Sequence, residues 1–426
     1  MQFRNTSSLV GLAFVALISL TGIWDTKAQS DEAVEVKLLK AGNGWSLSRA
    51  GEPHRIQGAG GTASLEVLAG LGANSTRTWG IDQLDEGRLD EAARNGLTVA
   101  AGIWLRHDLD YADEKQVDEQ IRLALEGVRK YKDHPAVLVW GIGNEMEGAG
   151  DNPAVWKHIE TIAKLVKRED PLHPTMTVIA EIGGEKVKNL HHLCHHIDIV
   201  GINAYGGAES LPKRYRAAGG AKPYIVTEFG PRGPWDLPKN AIGSVDEELG
   251  KVKAETYLKS FQAVSADRQL CLGSYAFKWG HKQEATPTWF GMLLADGRKT
   301  PVVDVLSKEW FGRAPANLCP QIDSLKLVPG RAVKVGATMK AKLDAHDPEK
   351  QPLKVQWVLM EDAKSHHTGG YFQETPPTYK DLILKTSSEE VTFRAPKKPG
   401  LYRIFAYVGD GQGSVDVANI VFRAEE

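Results

Sequence analysis

The sequence predicts a (β/α)8 TIM barrel followed by a small all-β sandwich, and three observations carry that reading. Eight short apolar runs alternate with amphipathic helical patterns over about 260 residues, the size and rhythm of an eight-unit barrel. Several runs are near-continuous Val, Ile, Ala and Leu, the composition of strands buried on both faces of a parallel sheet. Beyond Pro320 the helical periodicity disappears, and apolar stretches separated by Asp, Pro and Gly turns fill the last hundred or so residues. An open doubly wound sheet is the competing reading. Eight regular units, and no Gly-rich phosphate loop after the first strand, disfavour it.

Arg4 precedes an apolar run from Leu9 to Ile23, and Thr26-Lys27-Ala28 places small residues at the outer and inner cleavage positions, so residues 1–28 read as a secretory signal peptide. The run is shorter than the ~20 residues a spanning helix needs. The mature chain is expected to be secreted or periplasmic, with no membrane span. Residues 31–314 are assigned to the barrel. A hairpin over 45–53 leads into strand candidates at 54–59, 74–79, 97–105, 136–143, 176–182, 197–204, 224–228 and 270–279. Val117, Ile121, Ala124, Leu125 and Val128 recur at helical spacing, as do Trp156, Ile159, Ala163 and Val166 behind an Asn152 cap and Pro153. Residues 315–321 read as a linker and 322–426 as the sandwich, with strands expected at 333–343, 353–360, 391–393, 401–408 and 415–422.

Composition excludes several classes. With 52 Lys+Arg against 54 Asp+Glu and a net charge of -2, the chain carries no polybasic character for nucleic acid or membrane surfaces. Cys194, Cys271 and Cys319 are too scattered for a disulfide framework or a zinc ribbon and read as buried small hydrophobes. The run His191-His-Leu-Cys-His-His196 precedes strand six, near the barrel's N-terminal face, and reads as a solvated helix end rather than a metal site. Trp is as frequent as Phe and Tyr, 11 each, which suggests stacking surfaces for a flat-faced ligand such as a sugar.

In such a barrel the C-terminal strand ends converge on one face. The polar residues there are Arg77, His107, Asn144, Glu145, Glu181, Asn203, Tyr205, Glu228 and, with its indole, Trp279. Glu145 and Glu228 dominate, ending strands four and seven. Glycoside hydrolysis needs such a pair: one carboxyl protonated to help the leaving oxygen depart, the other ionised to attack or shield the anomeric centre. Arg77 is a cation suited to keeping Glu228 ionised, Tyr205 a hydrogen-bond donor to it, and Asn144 a neutral donor for a sugar hydroxyl. Trp104, Trp235 and Trp289 fall near catalytic-side loops, as platform or packing. Trp140 reads as core. Asp82, Asp108, Asp110 and Asp113 read as loop charges.

The segments Ala73–Arg77, Trp140–Glu145, Ile225–Gly230 and Ser274–Trp279 resemble the retaining glycoside hydrolases of clan A, most closely the barrels of families two and five. That resemblance spans nearly all of 40–312 and implies Glu145 as general acid/base and Glu228 as nucleophile. It further implies Arg77 as the nucleophile's support, Asn144 at the 2-hydroxyl, Tyr205 orienting Glu228, and Trp279 as the floor of the subsite. His107 and Glu181 are secondary substrate-binding candidates. The segments His346–Trp357 and Gly400–Gly413 resemble bacterial cadherin-like or polycystic-kidney-disease-type immunoglobulin sandwiches, which serve as spacers or adhesive appendages. Lys350 and Gln351 stand where an acidic residue is often found, which argues against calcium there.

The expected protein is thus a retaining β-glycosidase working on a carbohydrate without metal or organic cofactor. Near-neutral charge and tryptophan-rich loops lean toward a neutral β-glycan such as a β-glucan or β-mannan. A transglycosylase using the same pair is the rival enzyme, and a non-catalytic carbohydrate-binding barrel with an adhesive sandwich is the rival from another class.

Overall fold

A computed structural model of the protein describes residues 32–366 and 371–426. The signal-peptide reading of residues 1–28 falls outside them. No helix among the described residues is long and apolar enough to cross a membrane.

The hairpin comes first: β1 (Val36–Ala41) pairs antiparallel with β2 (Gly44–Arg49), which pairs with β3 (Glu52–Pro53). Val36 and Leu47 pack beneath Ile56, Leu138, Met176 and Ile225, so the hairpin plugs one end of the barrel lumen with apolar side chains. The barrel then alternates strand and helix: β4 (Ile56–Gly61), α1 (Leu65–Gly70), β5 (Ser75–Arg77), α2 (Glu86–Arg94), β6 (Thr98–Ile103), α3 (Glu114–Tyr131), β7 (Val137–Asn144), α4 (Pro153–Glu169). The second half continues with β8 (Thr175–Ala180), α5 (Lys186–Leu193), β9 (Ile199–Asn203), α6 (Leu211–Ala217), β10 (Tyr224–Phe229), α7 (Gly250–Ala266), β11 (Cys271–Trp279) and α8 (Pro301–Phe311). These strands close in the order β10-β11-β4-β5-β6-β7-β8-β9, all pairs parallel.

Local chemistry sets the helix starts. Asn152 Oδ1 accepts from the Ala154 N–H at 3.0 Å with Pro153 in the first turn, and Asp113 accepts from the N–H groups of Lys115 and Gln116. Each such cap contributes about 1 kcal/mol. Asp113, read from sequence as a loop charge, is therefore the start signal of α3. The apolar stripes of α3 and α4 (Ala124, Val128, Trp156, Ile159, Ala163) bury against the outer faces of the strands.

The C-terminal part holds β12 (Gln321–Val328), β13 (Ala332–Lys334), β14 (Thr338–His346), β15 (Lys354–Glu361), β16 (Ile383–Thr386), β17 (Glu390–Arg394), β18 (Gly400–Gly409) and β19 (Val415–Glu425). They form two four-stranded sheets, β12-β14-β17-β16 and β13-β19-β18-β15. Met339, Ala341, Val391 and Phe393 of one sheet meet Trp357, Leu359, Ile404 and Phe422 of the other in a single core. The expected strand over 333–343 is two, broken at Gly336, whose φ of 74° ends the extended run. β12 and β16 have no counterpart among the expected strands.

Barrel and sandwich share buried polar contacts. Arg403 Nε lies 2.5 Å from Asp362 Oδ1, both side chains 2 % exposed. Arg403 also donates to the Val245 carbonyl at 2.6 Å, and Ser244 donates to Asp362 at 2.7 Å. Burial would raise the Asp362 carboxyl, but the His366 hydrogen bond and the Arg403 guanidinium outweigh it and hold it at about 2. Asn317, in the 315–321 segment, donates to Asp410 and Ser414 at 2.7 and 2.8 Å, while the neighbouring Cys319 N–H donates to Asp304 at 2.7 Å. Removing one partner of such a buried pair strands the other's charge, so Arg403→Met is expected to cost about 3–5 kcal/mol in urea unfolding. A loss below 1 kcal/mol would show the pair to be solvated.

Candidate active site

The ends of β7 and β10 carry the two carboxylates. Near the end of β7 the pairing with β8 shifts register between Gly141 and Asn144, and Gly143 takes φ 72°. An L side chain at that φ is strained, so the glycine lets the strand turn Asn144 and Glu145 toward the barrel mouth. Glu145 itself sits at φ 55°, pinned by its N–H donating to the Val178 carbonyl at 2.9 Å. Such a backbone costs a non-glycine residue about 1–3 kcal/mol.

Glu228 is buried at the end of β10 and faces donors on both oxygens. Arg77 Nη1 and Trp79 Nε1 each reach Oε1 at 2.8 Å, and the Tyr205 hydroxyl donates to Oε2 at 2.6 Å. Arg77, on β5, also donates through Nη2 to Asn144 Oδ1 at 2.7 Å. Asn203, ending β9, donates to Asn144 Oδ1 at 3.2 Å and to Glu145 Oε1 at 2.7 Å, while its own Oδ1 accepts from Thr227 at 2.7 Å. A chain of side-chain contacts thus runs Glu228–Arg77–Asn144–Asn203–Glu145. With Asn144 Oδ1 occupied twice, Nδ2 is the group Asn144 has left to offer a ligand.

The two carboxyls stand in contrasting surroundings. Burial, and then the charge of Glu228, push Glu145 up to about 7, against the opposing hydrogen bond from Asn203. Three donors, one of them a guanidinium, surround Glu228, as suits an ionised carboxylate. Burial and the Glu228 charge raise the Tyr205 hydroxyl well above its ordinary range, so it remains a proton donor to that carboxylate. A proton donor near neutrality beside a second carboxyl held by three donors is what acid/base and nucleophilic chemistry on one substrate require.

Both carboxylates line a cavity of about 750 Å³, joined there by Asn144, Tyr205, Glu181, Trp104 and Trp235. Arg77 supports Glu228 from below the cavity lining. Glu181 is held in a two-toothed pair with Arg214 at 2.6 and 3.2 Å. His107 lies outside the lining, its ring 5.4 Å from Trp104.

Two expected sugar contacts are elsewhere. Trp279 is fully buried between the barrel and its helices, and its indole N–H donates to the Ser64 carbonyl at 2.9 Å. The register of β11 against β4 shifts between Phe277 and Trp279, which sends Lys278 into the cavity and Trp279 out of it. Trp289 is buried against Phe277 and Phe290, which themselves line the cavity, and its indole donates to the Arg232 carbonyl at 2.9 Å. Asp82, expected as a loop charge, lines the cavity.

Further lining residues include Trp79, Asn203, Lys278, Lys282, Glu284, Phe290, Tyr371 and Phe372. Asn203 and Trp79 sit at strand ends where polar and aromatic residues signal a site; Tyr371 and Phe372 come from the sandwich, with no such signal. In the histidine run, His191 Nε2 accepts from the N–H groups of Ala221 and Lys222, and His196 pairs with Glu160. No His, Cys, Asp or Glu group among the described residues is arranged to hold a metal.

Fold and site together define a class: a closed (β/α)8 barrel with a carboxylate pair at the ends of its fourth and seventh strands. Residues 88–237, which include both carboxylates, match the TIM barrel domain of the glycosyl hydrolases family 2. A β-glucuronidase of Bacteroides fragilis is 32% identical over 96 residues, 21% of this chain and 14% of that protein. Among solved structures, the β-D-glucuronidase of Dictyoglomus thermophilum superposes with a TM-score of 0.51 at 17% identity, covering 66% of this chain and 54% of that one. The β-galacturonidase of Eisenbergiella tayi gives 0.51 at 18% identity with 66% and 54% coverage. The FMN-binding β-glucuronidase of Facaelibacterium prausnitzii gives 0.52 at 16%, covering 92% of this chain and 58% of that one. The chain spans little more than half the length of these solved relatives, and at such identities the likeness is one of fold.

Proposed function

We propose that the chain is a retaining β-glycosidase acting on β-linked uronides. The observation that carries the reaction class is the contrast between Glu228, held by Arg77, Trp79 and Tyr205, and Glu145, crowded until its carboxyl protonates near neutrality. Glu228 attacks the anomeric carbon as Glu145 gives its proton to the departing glycosidic oxygen, and a covalent glycosyl-enzyme forms. Glu145, now a carboxylate, takes a proton from water, whose oxygen displaces Glu228 and restores the starting anomeric configuration. Asn144 Nδ2 is suited to the sugar's 2-hydroxyl.

The substrate class rests on Lys278. Its ammonium makes no hydrogen bond or ion pair among the described residues, and it lies 5.8 Å from the Trp79 ring centre on the cavity wall. Burial, and then the nearby Lys282 charge, lower its pKa, so the site gains by receiving an anion there. The carboxylate of a uronic acid supplies one, in keeping with the sugars named for the relatives. This replaces the neutral β-glycan suggested by net charge, because a whole-chain balance does not report the local charge of a cleft. Export of the mature chain, read from residues 1–28, belongs to the same proposal.

The test is a panel of nitrophenyl β-glycosides. Wild type should favour the glucuronide or galacturonide over the glucoside and mannoside. Lys278→Met should cut kcat/KM for the uronide about 10–100-fold, the worth of one charged hydrogen bond, and narrow that preference. Preference for a neutral glycoside, unaltered in Lys278→Met, would overturn the uronide assignment.

A further inference from the structure

We propose that the C-terminal sandwich completes the cleft: Tyr371 and Phe372, together with Trp104 of the barrel, form a stacking platform for the ring that departs when the glycosidic bond breaks. Which side of the cleft that ring occupies rests on the glycosidase reading above.

Phe372 is 90% exposed and Tyr371 62%, yet both line the cavity. Of the five exposed large aromatics among the described residues, Trp104, Trp235, Tyr371 and Phe372 line this one cavity and only Phe311 does not. Aromatic rings left in water around a single concavity mark a ligand surface rather than packing. His107, itself outside the lining, contacts two of them, its ring 5.4 Å from Trp104 and 6.3 Å from Tyr371.

The described residues of the connection from β15 to β16, 362–366 and 371–382, are held at several points. At its start Asp362 is locked to Arg403 and Ser244. Immediately after Phe372, Gln373 accepts through Oε1 from the Ala285 N–H at 2.8 Å and donates through Nε2 to the Ser365 carbonyl at 2.8 Å. Ala285 adjoins Glu284, itself on the cavity wall. Further along, the Glu361 N–H donates to the Pro377 carbonyl at 3.0 Å. The sandwich thus places its aromatics on the barrel through anchors on both sides of them.

The proton transfer gives the side. Trp104 follows β6, which lies between β5, whose Arg77 bonds Glu228, and β7, whose end carries Glu145. Trp235 follows β10 and packs edge-on, 5.6 Å away, against Tyr205, which bonds Glu228. The proton leaves Glu145 for the departing oxygen, so the departing group lies on the Glu145 side of the cavity that Trp104, Tyr371 and Phe372 also line. The ligand is a ring with a flat apolar face, either the pyranose of a second sugar or an aryl group.

The test is binding to the full chain made inert by Glu228→Gln, with and without Tyr371→Ala and Phe372→Ala together. Calorimetric titrations use glucuronic acid, a β-glucuronyl-glucose disaccharide, its neutral β-glucosyl-glucose counterpart, and phenyl β-glucuronide. The platform predicts that the double change weakens at least one two-ring ligand about tenfold while the Kd for the single sugar moves less than twofold. Loss with the disaccharides assigns a sugar, and loss with the phenyl glycoside alone assigns an aryl group. Equal loss for one-ring and two-ring ligands, unaltered two-ring affinity, or no binding by any probe overturns the inference. Whether wild type hydrolyses the same compounds is read separately, so a failed glycosidase assignment would not be confused with a failed platform.

Discussion

Glu228→Gln should lower turnover by about 10⁴-fold or more, the scale seen when a covalent nucleophile is lost. The amide keeps the shape of the side chain but no longer brings a negative charge to Arg77 and cannot form a stable ester with the sugar. The mechanism makes a sharper prediction for Glu228→Gly. With the nucleophile deleted, azide entering the vacated space should attack the anomeric carbon directly and yield a glycosyl azide of inverted configuration. Rate measurement on an aryl glycoside, with NMR of the azide product, reads both outcomes. Full activity in Glu228→Gln would remove the residue from the mechanism.

Glu145→Ala should separate substrates by leaving group. Loss of the proton donor should cut kcat/KM about 10²–10⁴-fold for a sugar or alkyl leaving group, and far less for dinitrophenolate, which departs without protonation. Azide should restore turnover here with retention. The pH profile carries the same assignment. Wild-type kcat/KM should fall as pH rises through about 7, where Glu145 loses its proton, and Glu145→Ala should lack that limb. Stability supplies an independent reading. The folded-state value lies above the ordinary 4.5, so between these two values the folded chain binds more protons than the unfolded chain and loses stability as pH rises. Glu145→Gln removes that loss and should be more stable than wild type by about 1–3 kcal/mol at pH 8 but not at pH 4. Equal stability at both pH values would place the Glu145 carboxyl in an ordinary environment.

How much of this was legible in the sequence depended on whether the signal was local. The barrel strands announce themselves because burial on both faces forces unbroken apolar runs, and a polar residue ending such a run has little place to be except the mouth. Arg77, Asn144, Glu145, Asn203, Tyr205 and Glu228 were all visible as strand ends for that reason. Trp279 and Lys278 show where the rule weakens. A register shift at the end of β11 exchanges which neighbour faces the cavity, and no composition or periodicity reports a shift of one residue. The sandwich was harder to read. The half-buried β12 carries only a faint alternation, and β16 is four residues long. Tyr371 and Phe372 are remote in sequence from the barrel they face. Their placement depends on the packing of the sandwich against the barrel through Arg403, Asp362 and Gln373, a tertiary fact without a local pattern.

The most direct test of the central claim is trapping of the covalent intermediate. A 2-deoxy-2-fluoro β-glycosyl fluoride of the sugar turned over fastest should inactivate the enzyme, and peptide mass mapping should find one fluorosugar on Glu228. Label on Glu145, or a first-formed product of inverted configuration with no label at all, would contradict it.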